Sequence, residues 1–434
     1  MSKRFAALLL SLILLAPTLR AADPAPKSPY TIKLAIDHQD GVYKTGEPVV
    51  FTISVLKDGQ PAKGAEALCE VTRYRGIPVS SEKLPLAGEP LTVKATLDAP
   101  GFLRCKVSCP AGEKDAATAE IGAAVAPLEI KPSLPPPDDF DAFWADQKKK
   151  LAASKMEPTL TPIDSPTKGV ECFDLQIPCP GGRPVSAYFA RPAAAKPKSL
   201  PAVLYTHGAG YRTSSLPNAA YGAEQGMLSV DLNALGAPNG KPDQFYADLA
   251  TGELKNYPAI GIESRDTYFF LGMYLRLLRA LDFLAAQPEW DGRNLFVSGS
   301  SQGGGQAIVA AGLDPRVTAI AASVPAMCDL TGPAAGRPAG WPNKVPLITG
   351  KMDPKLSEVA RYFDAMNFAP RAKADAVFIV GLIDNTCPAS SVYAAFNACA
   401  GKKEMVVRPA MGHQFPSENF ALMRKFLKDH IRKD

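Results

Sequence analysis

Histidine is scarce in this chain: four in 434 residues, His38, His207, His413 and His430. Any reaction that needs an imidazole must therefore draw on one of four positions. Paired histidine ligands are missing, and the eight cysteines fall at spacings unlike those of a zinc site, so no metal is expected. No block of basic residues occurs. The net charge of +5 falls to +2 once Lys3, Arg4 and Arg20 are set aside, which excludes a polyanion such as nucleic acid as the expected partner. Apolar runs of bilayer length are also absent, so no membrane span is expected. What remains is 46% apolar and 21% charged, the balance of a folded globular protein with room for two or three domains.

The one notable apolar run is short and N-terminal. Lys3-Arg4 is followed by Phe5 to Ala16 and then by Leu19-Arg20-Ala21, the layout of a secretory signal cut after Ala21. Residues 1–21 are thus read as a signal peptide, and the mature chain as secreted or periplasmic. In an exported protein disulfides are permitted, and one pair among Cys69, Cys105 and Cys109 could join two strands.

From Tyr30 to Val125 short alternating segments are separated by turn signals such as Asp40-Gly41, Asp58-Gly59 and Ala99-Pro100-Gly101. Six or seven strands in about a hundred residues suggest a small all-β, immunoglobulin-like sandwich over 28–126. It lacks an aromatic cluster that would mark a sugar-binding face, which favours a spacer or packing role. A proline-rich linker spans 127–138. An amphipathic helix then begins at Asp138-Asp139-Phe140, a hairpin follows around Pro180-Gly181-Gly182, and strands alternate with helices to the end. This pattern predicts an α/β domain over 139–434, with a mostly parallel sheet covered by helices on both faces.

Within that domain Gly299-Ser300-Ser301-Gln302-Gly303 lies between an apolar strand segment, Leu295-Phe296-Val297, and a helical one. Strand, sharp turn and helix form the setting in which G-x-S-x-G exposes a nucleophilic serine, and only Ser301 has glycine two places to either side. A serine hydroxyl needs a base, and the base an acid to orient it. His38 lies in the all-β region, His430 in the last helix, and His207 ends a strand before Gly208-Ala209-Gly210. His413 stands on a loop after the last strand, where the base of an α/β-hydrolase comes. Asp384 follows the strand Val377–Ile383 and is favoured as the acid. Asp353 is its competitor, although helix N-capping would explain it. Charge developing on a carbonyl oxygen needs fixed donors: the Gln302 N–H, at a helix start, and the Ala209 N–H on the His207–Gly210 turn are the candidates.

These segments resemble the acetyl xylan esterase/cephalosporin C deacetylase family, carbohydrate esterase family 7, from about Pro135 onward. The resemblance rests on Asp139-Phe140-Asp141-Ala142-Phe143-Trp144, His207-Gly208, Arg279–Leu284, Gly299–Gly304, Pro325–Asp329, Gly381–Pro388 and Gly412-His413. It implies an α/β-hydrolase fold, the triad Ser301, Asp384 and His413, and oxyanion donors Ala209 and Gln302. It also implies hydrolysis of short acyl, chiefly acetyl, esters on an acetylated carbohydrate without a cofactor, and it is compatible with a homo-oligomer. Two departures stand out: Val230–Gly236 replaces the family's Arg-Gly-Gln motif, and Gln414 replaces a glutamate after the histidine. Rival readings are a lipase-like carboxylesterase or a peptidase on the same fold, or a glycan-binding protein without catalysis. Because a histidine base must be neutral, activity is expected to fall as pH drops through about 6.5. Residues 214–221 and 236–260 are expected to be irregular loops lining or covering the pocket.

Overall fold

The computed structural model describes residues 28–432. The segment assigned to a signal peptide lies outside the described residues. The N-terminal region contains β1 (Tyr30–Ile36), β2 (Val49–Lys57), β3 (Lys63–Arg73), β4 (Ile77–Ala87), β5 (Leu91–Ala95), β6 (Gly101–Cys109) and β7 (Ala117–Val125). In one sheet β2 pairs antiparallel with both β1 and β5, and in a second the order is β7-β6-β3-β4. Side chains alternate along each strand, and the inward set of both sheets packs into one core. Phe51 and Ile53 of β2 meet Val71 of β3, Leu103 and Val107 of β6 and Ile121 of β7 there. Cys69 and Cys105, on neighbouring strands β3 and β6, bring their sulfurs to 3.6 Å and remain free thiols.

The strand β4 is not apparent from the sequence. It pairs on one side only, and of its eleven residues only Leu86 is buried, so the apolar alternation that marks a strand never develops.

The second region carries α1 (Phe140–Ala153), β8 (Thr159–Ile163), β9 (Val170–Ile177), β10 (Val185–Pro192), β11 (Leu200–Thr206), α2 (Leu216–Glu224), β12 (Leu228–Leu232) and α3 (Asp243–Thr251). It continues with α4 (Phe269–Ala285), β13 (Trp290–Ser300), α5 (Gln302–Leu313), β14 (Ala319–Ser323), α6 (Pro354–Phe363), β15 (Asp375–Gly381), α7 (Ala389–Ala398), β16 (Lys403–Arg408) and α8 (Ser417–Asp429). Nine strands of this region form one sheet in the order β8-β9-β10-β12-β11-β13-β14-β15-β16, antiparallel up to the β10–β12 pair and parallel from there on. Core clusters lie on both faces: α4 and α5 pack with Leu204, Val297 and Ile320, while Met423, Phe426 and Leu427 of α8 pack with Val203, Phe296 and Val377. The central strands are buried on both faces, hence their continuous apolar runs. Among the described residues no helix is long and apolar enough to cross a membrane.

Residues 214–221 and 236–260 are more regular than expected. Ser215 caps α2 by accepting the Asn218 N–H, and Ala219, Ala220 and Ala223 bury its inner face. Helix α3 occupies part of the second segment.

Candidate active site

The turn between β13 and α5 holds Ser301 at φ 56°, ψ −123°, a left-handed conformation that a non-glycine residue adopts only under constraint. Three backbone hydrogen bonds supply it. The Ser301 N–H donates to Ser323 O at 2.9 Å, and its carbonyl accepts from Ala326 at 2.9 Å and Gly305 at 3.1 Å. The conformation aims Ser301 across the carboxyl ends of the parallel strands, where Asp384 and His413 also arrive.

Asp384 follows β15 at the end of the sheet. Its Oδ1 accepts the N–H groups of Thr386 at 2.7 Å and Cys387 at 2.8 Å, so its own loop fixes the carboxylate. His413 Nδ1 lies 2.8 Å from Asp384 Oδ2, and Nε2 lies 3.0 Å from Ser301 Oγ. A carboxylate only accepts, so Nδ1 carries the proton and the Nε2 lone pair faces the serine hydroxyl. Asp384's side chain is wholly buried, whereas His413 is partly open to the crevice.

Asp353, the competing acid, caps α6 by accepting the Leu356 N–H at 2.9 Å. Asp353→Ala is expected to lower stability by about 1 kcal/mol, the usual worth of such a cap, and to leave kcat unchanged. Thermal unfolding and steady-state rates on the same preparation check both halves.

His207 is held apart from the chain of Ser301, His413 and Asp384. Its Nε2 accepts the Ala234 N–H at 3.2 Å, which places the proton on Nδ1, 2.7 Å from Gly208 O. Burial, with help from the Arg212 charge, pushes its pKa down to about 4, so it stays neutral and serves as a structural anchor. His38 and His430 lie elsewhere, against Val42 and Phe426.

Gln302 begins α5 immediately after Ser301 and is fully buried; Ala209 sits on the exposed turn after β11 and lines the same crevice. Two residues that sequence reasoning passed over secure this pair. Arg212 Nη2 donates to Gly208 O at 2.8 Å and Ala209 O at 3.1 Å, and Tyr257 donates its hydroxyl to Gln302 Oε1. Neither carries a sequence motif: Arg212 folds back on its own turn, three and four residues away, and Tyr257 reaches Gln302 across 45 positions.

The crevice encloses about 570 Å³, with Ser301 and His413 opening into it and Trp341, Phe415 and Phe420 supplying aromatic faces. One residue of the region that departs from the family motif, Asp231, lines the crevice. There Asp231 accepts from Ser215 N at 2.7 Å and Asn218 Nδ2 at 3.2 Å, and burial pushes its pKa up to about 7. Asn233 binds Arg212 O at 2.7 Å and so supports the same turn.

Among the described residues, one trio with the chemistry of metal ligands, Asp384, Cys387 and His413, brings its donor atoms within 4.8 Å. It fits a metal poorly. Burial, and secondarily the Asp384 charge, push the Cys387 thiol well above its usual range, away from the thiolate a metal needs, and the imidazole nitrogen facing Asp384 is already engaged.

Strand order, the strained turn and the crevice at the sheet's carboxyl edge define an α/β-hydrolase. Residues 128–333 and 351–430 match the family described as acetyl xylan esterase (AXE1), and the chain belongs to that family of carboxylic ester hydrolases. The acetyl esterase Axe7A of Xylanibacter ruminicola is 29% identical over 401 residues, covering 91% of this chain and 90% of its own. The acetyl xylan esterase of Paenibacillus sp. R4 is similar in structure, at 27% identity and a TM-score of 0.61, over 70% of this chain and 98% of its own. Acetyl xylan esterase 1 of Thermoanaerobacterium sp. JW/SL YS485 shares the fold at 23% identity and a TM-score of 0.58, with the same coverage.

Proposed function

We propose that the protein removes acetyl groups from acetylated xylan or its oligosaccharides through a Ser-His-Asp acyl-enzyme mechanism. The observation that carries this reading is the unbroken hydrogen-bond chain from Ser301 through His413 to Asp384, opening on the crevice. Ser301 Oγ attacks the ester carbonyl while His413 Nε2 takes its proton, and Asp384 stabilises the imidazolium. The backbone N–H groups of Gln302 and Ala209 receive the developing oxyanion. His413 then protonates the departing sugar hydroxyl. Water, deprotonated by the same imidazole, cleaves the acyl-enzyme to acetate.

The crevice is far larger than an acetyl group, and its volume falls in the range of small-molecule sites. Trp341, Phe415 and Phe420 offer flat apolar faces suited to a sugar ring beside the ester. The names of the related acetyl xylan esterases point the same way. We also assign residues 28–126 to an immunoglobulin-like sandwich, supported by two sheets around one core, antiparallel but for the short Val42–Tyr43 edge, with a linker at 127–138 and the catalytic domain at 139–434. Export remains the reading of the first 21 residues.

The test is acetate release from acetylated xylan, pectin and mannan at matched acetyl content, with a series of chromogenic esters of increasing acyl length. Release is expected to be fastest from xylan, and rates to fall as the acyl chain lengthens. A preference for long acyl chains, or cleavage of amides, would instead favour the lipase-like or peptidase reading.

A further inference from the structure

The family match begins at residue 128, after the N-terminal sheets, and the two solved esterases align with 70% of this chain while covering 98% of their own. Yet those sheets reach the loops that carry the acid and the base. Arg104, on β6, donates from Nη1 to Asn385 Oδ1 at 2.6 Å and from Nη2 to Ile383 O at 2.7 Å. These acceptors belong to the residues on either side of Asp384. Glu120, on the adjacent strand β7, pairs with Arg104 at 2.7 Å and holds the guanidinium in place. Two residues further along β7, Gly122 donates its N–H to Pro409 O at 2.8 Å, on the segment leading from β16 to His413. The approach there is close: a Cβ at position 122 would stand 2.6 Å from Leu382 Cβ. Phe102 of β6 is buried with the catalytic core and contacts the Tyr393 ring at 5.7 Å.

We propose that the N-terminal sheets are a brace for the catalytic loops, with Arg104 as a positioning residue that sets the Asp384 loop against His413. The inference rests on the triad reading above. A planar guanidinium suits the task because its fork reaches two acceptors at once while Glu120 compensates its charge. A half-buried carbonyl and an exposed amide would otherwise be free to turn with the loop, and a small displacement of a catalytic group is costly in rate.

The experiment uses the full chain and 4-nitrophenyl acetate. Arg104→Met, which keeps an apolar stem, is expected to lower kcat by about tenfold to a hundredfold with KM within about twofold. Arg104→Lys should recover part of that loss. Asn385→Ala, which removes one of the two acceptors and leaves the Arg104–Glu120 pair intact, should reproduce part of the loss. The double variant Arg104→Met/Asn385→Ala should be no slower than Arg104→Met alone, because that change already removes the contact to Asn385. A mere packing contact between regions would lower the melting temperature and leave kcat alone. Wild-type kcat in a folded Arg104→Met protein overturns the proposal, as do losses that multiply in the double variant. Should Arg104→Met not fold, wild-type kcat in Asn385→Ala overturns it equally. Ser301→Ala, run in parallel, separates the two readings: if it abolishes activity while the Arg104 and Asn385 variants are silent, the brace fails and the triad stands.

Discussion

Ser301→Ala is expected to reduce kcat for acetyl ester hydrolysis by about 10⁵–10⁶, leaving only the residual rate that binding and oxyanion donors supply. The side chain is small and its left-handed backbone is held by three main-chain hydrogen bonds, none of which uses the hydroxyl. The variant should therefore fold and bind substrate normally. Asp384→Asn should cost about 10⁴, since an amide at that position no longer selects the imidazole tautomer whose Nε2 accepts the serine proton. Combining it with Ser301→Ala should add nothing, because the groups act as a unit. Burst kinetics with a chromogenic ester and mass spectrometry of a trapped acyl-enzyme provide the readout. A Ser301→Ala protein that still turns over at a tenth of the wild-type rate would exclude the acyl-enzyme route.

The parts of this site that could be read from the sequence are those fixed by local chain chemistry. Ser301 is marked by glycines at set positions between a strand and a helix, and His413 by elimination among four imidazoles. Asp384 is marked by the apolar strand that ends just before it. The strand series of the α/β domain is legible for the same reason, since its central strands are buried on both faces and leave continuous apolar runs. Edge strands are not: β8 exposes nearly all of its five residues and contains Pro162, so neither hydrophobic period nor composition identifies it. Helix α2 was knowable in principle, with Ser215 capping and Pro217 in the first turn, but its small apolar residues give only a faint stripe.

What the sequence hid is the set of contacts made across long separations. Arg104 and Asn385 stand 281 positions apart, and Tyr257 and Gln302 stand 45 apart. No window-based pattern joins such pairs, because their partnership is created when separate parts of the fold pack together: the N-terminal sheets on the Asp384 loop, and the turn at Tyr257 on the start of α5. The Val230–Gly236 segment shows the same limit. As sequence it records only the loss of a family motif, yet in the fold Asp231 lines the crevice and binds the start of α2, while Asn233 holds the Arg212 carbonyl.

Gly303→Ala is expected to impair catalysis and folding together. Gly303 lies in the first turn of α5, where its Cα is pressed against the end of β11. An added Cβ would run into the Thr206 carbonyl oxygen and stand 2.6 Å from the Thr206 carbonyl carbon and 3.0 Å from His207 O. All three are backbone atoms, so no rotamer change can relieve the clash, and the Thr206 hydroxyl, which donates to Gly303 O at 2.9 Å, ties the two segments further. Either α5 or β11 must withdraw. Each carries one of the proposed oxyanion donors, Gln302 on α5 and Ala209 just after β11, so their separation would open whichever segment moved. Overpacking of this kind costs about 1–3 kcal/mol, and spoiling one oxyanion donor costs about 10²–10³ in kcat. Denaturant unfolding should show the first loss and turnover of the folded fraction the second. An alanine variant with unchanged midpoint and unchanged kcat would mean that the helix can shift without disturbing the reaction, and that these two amides do not hold the oxyanion.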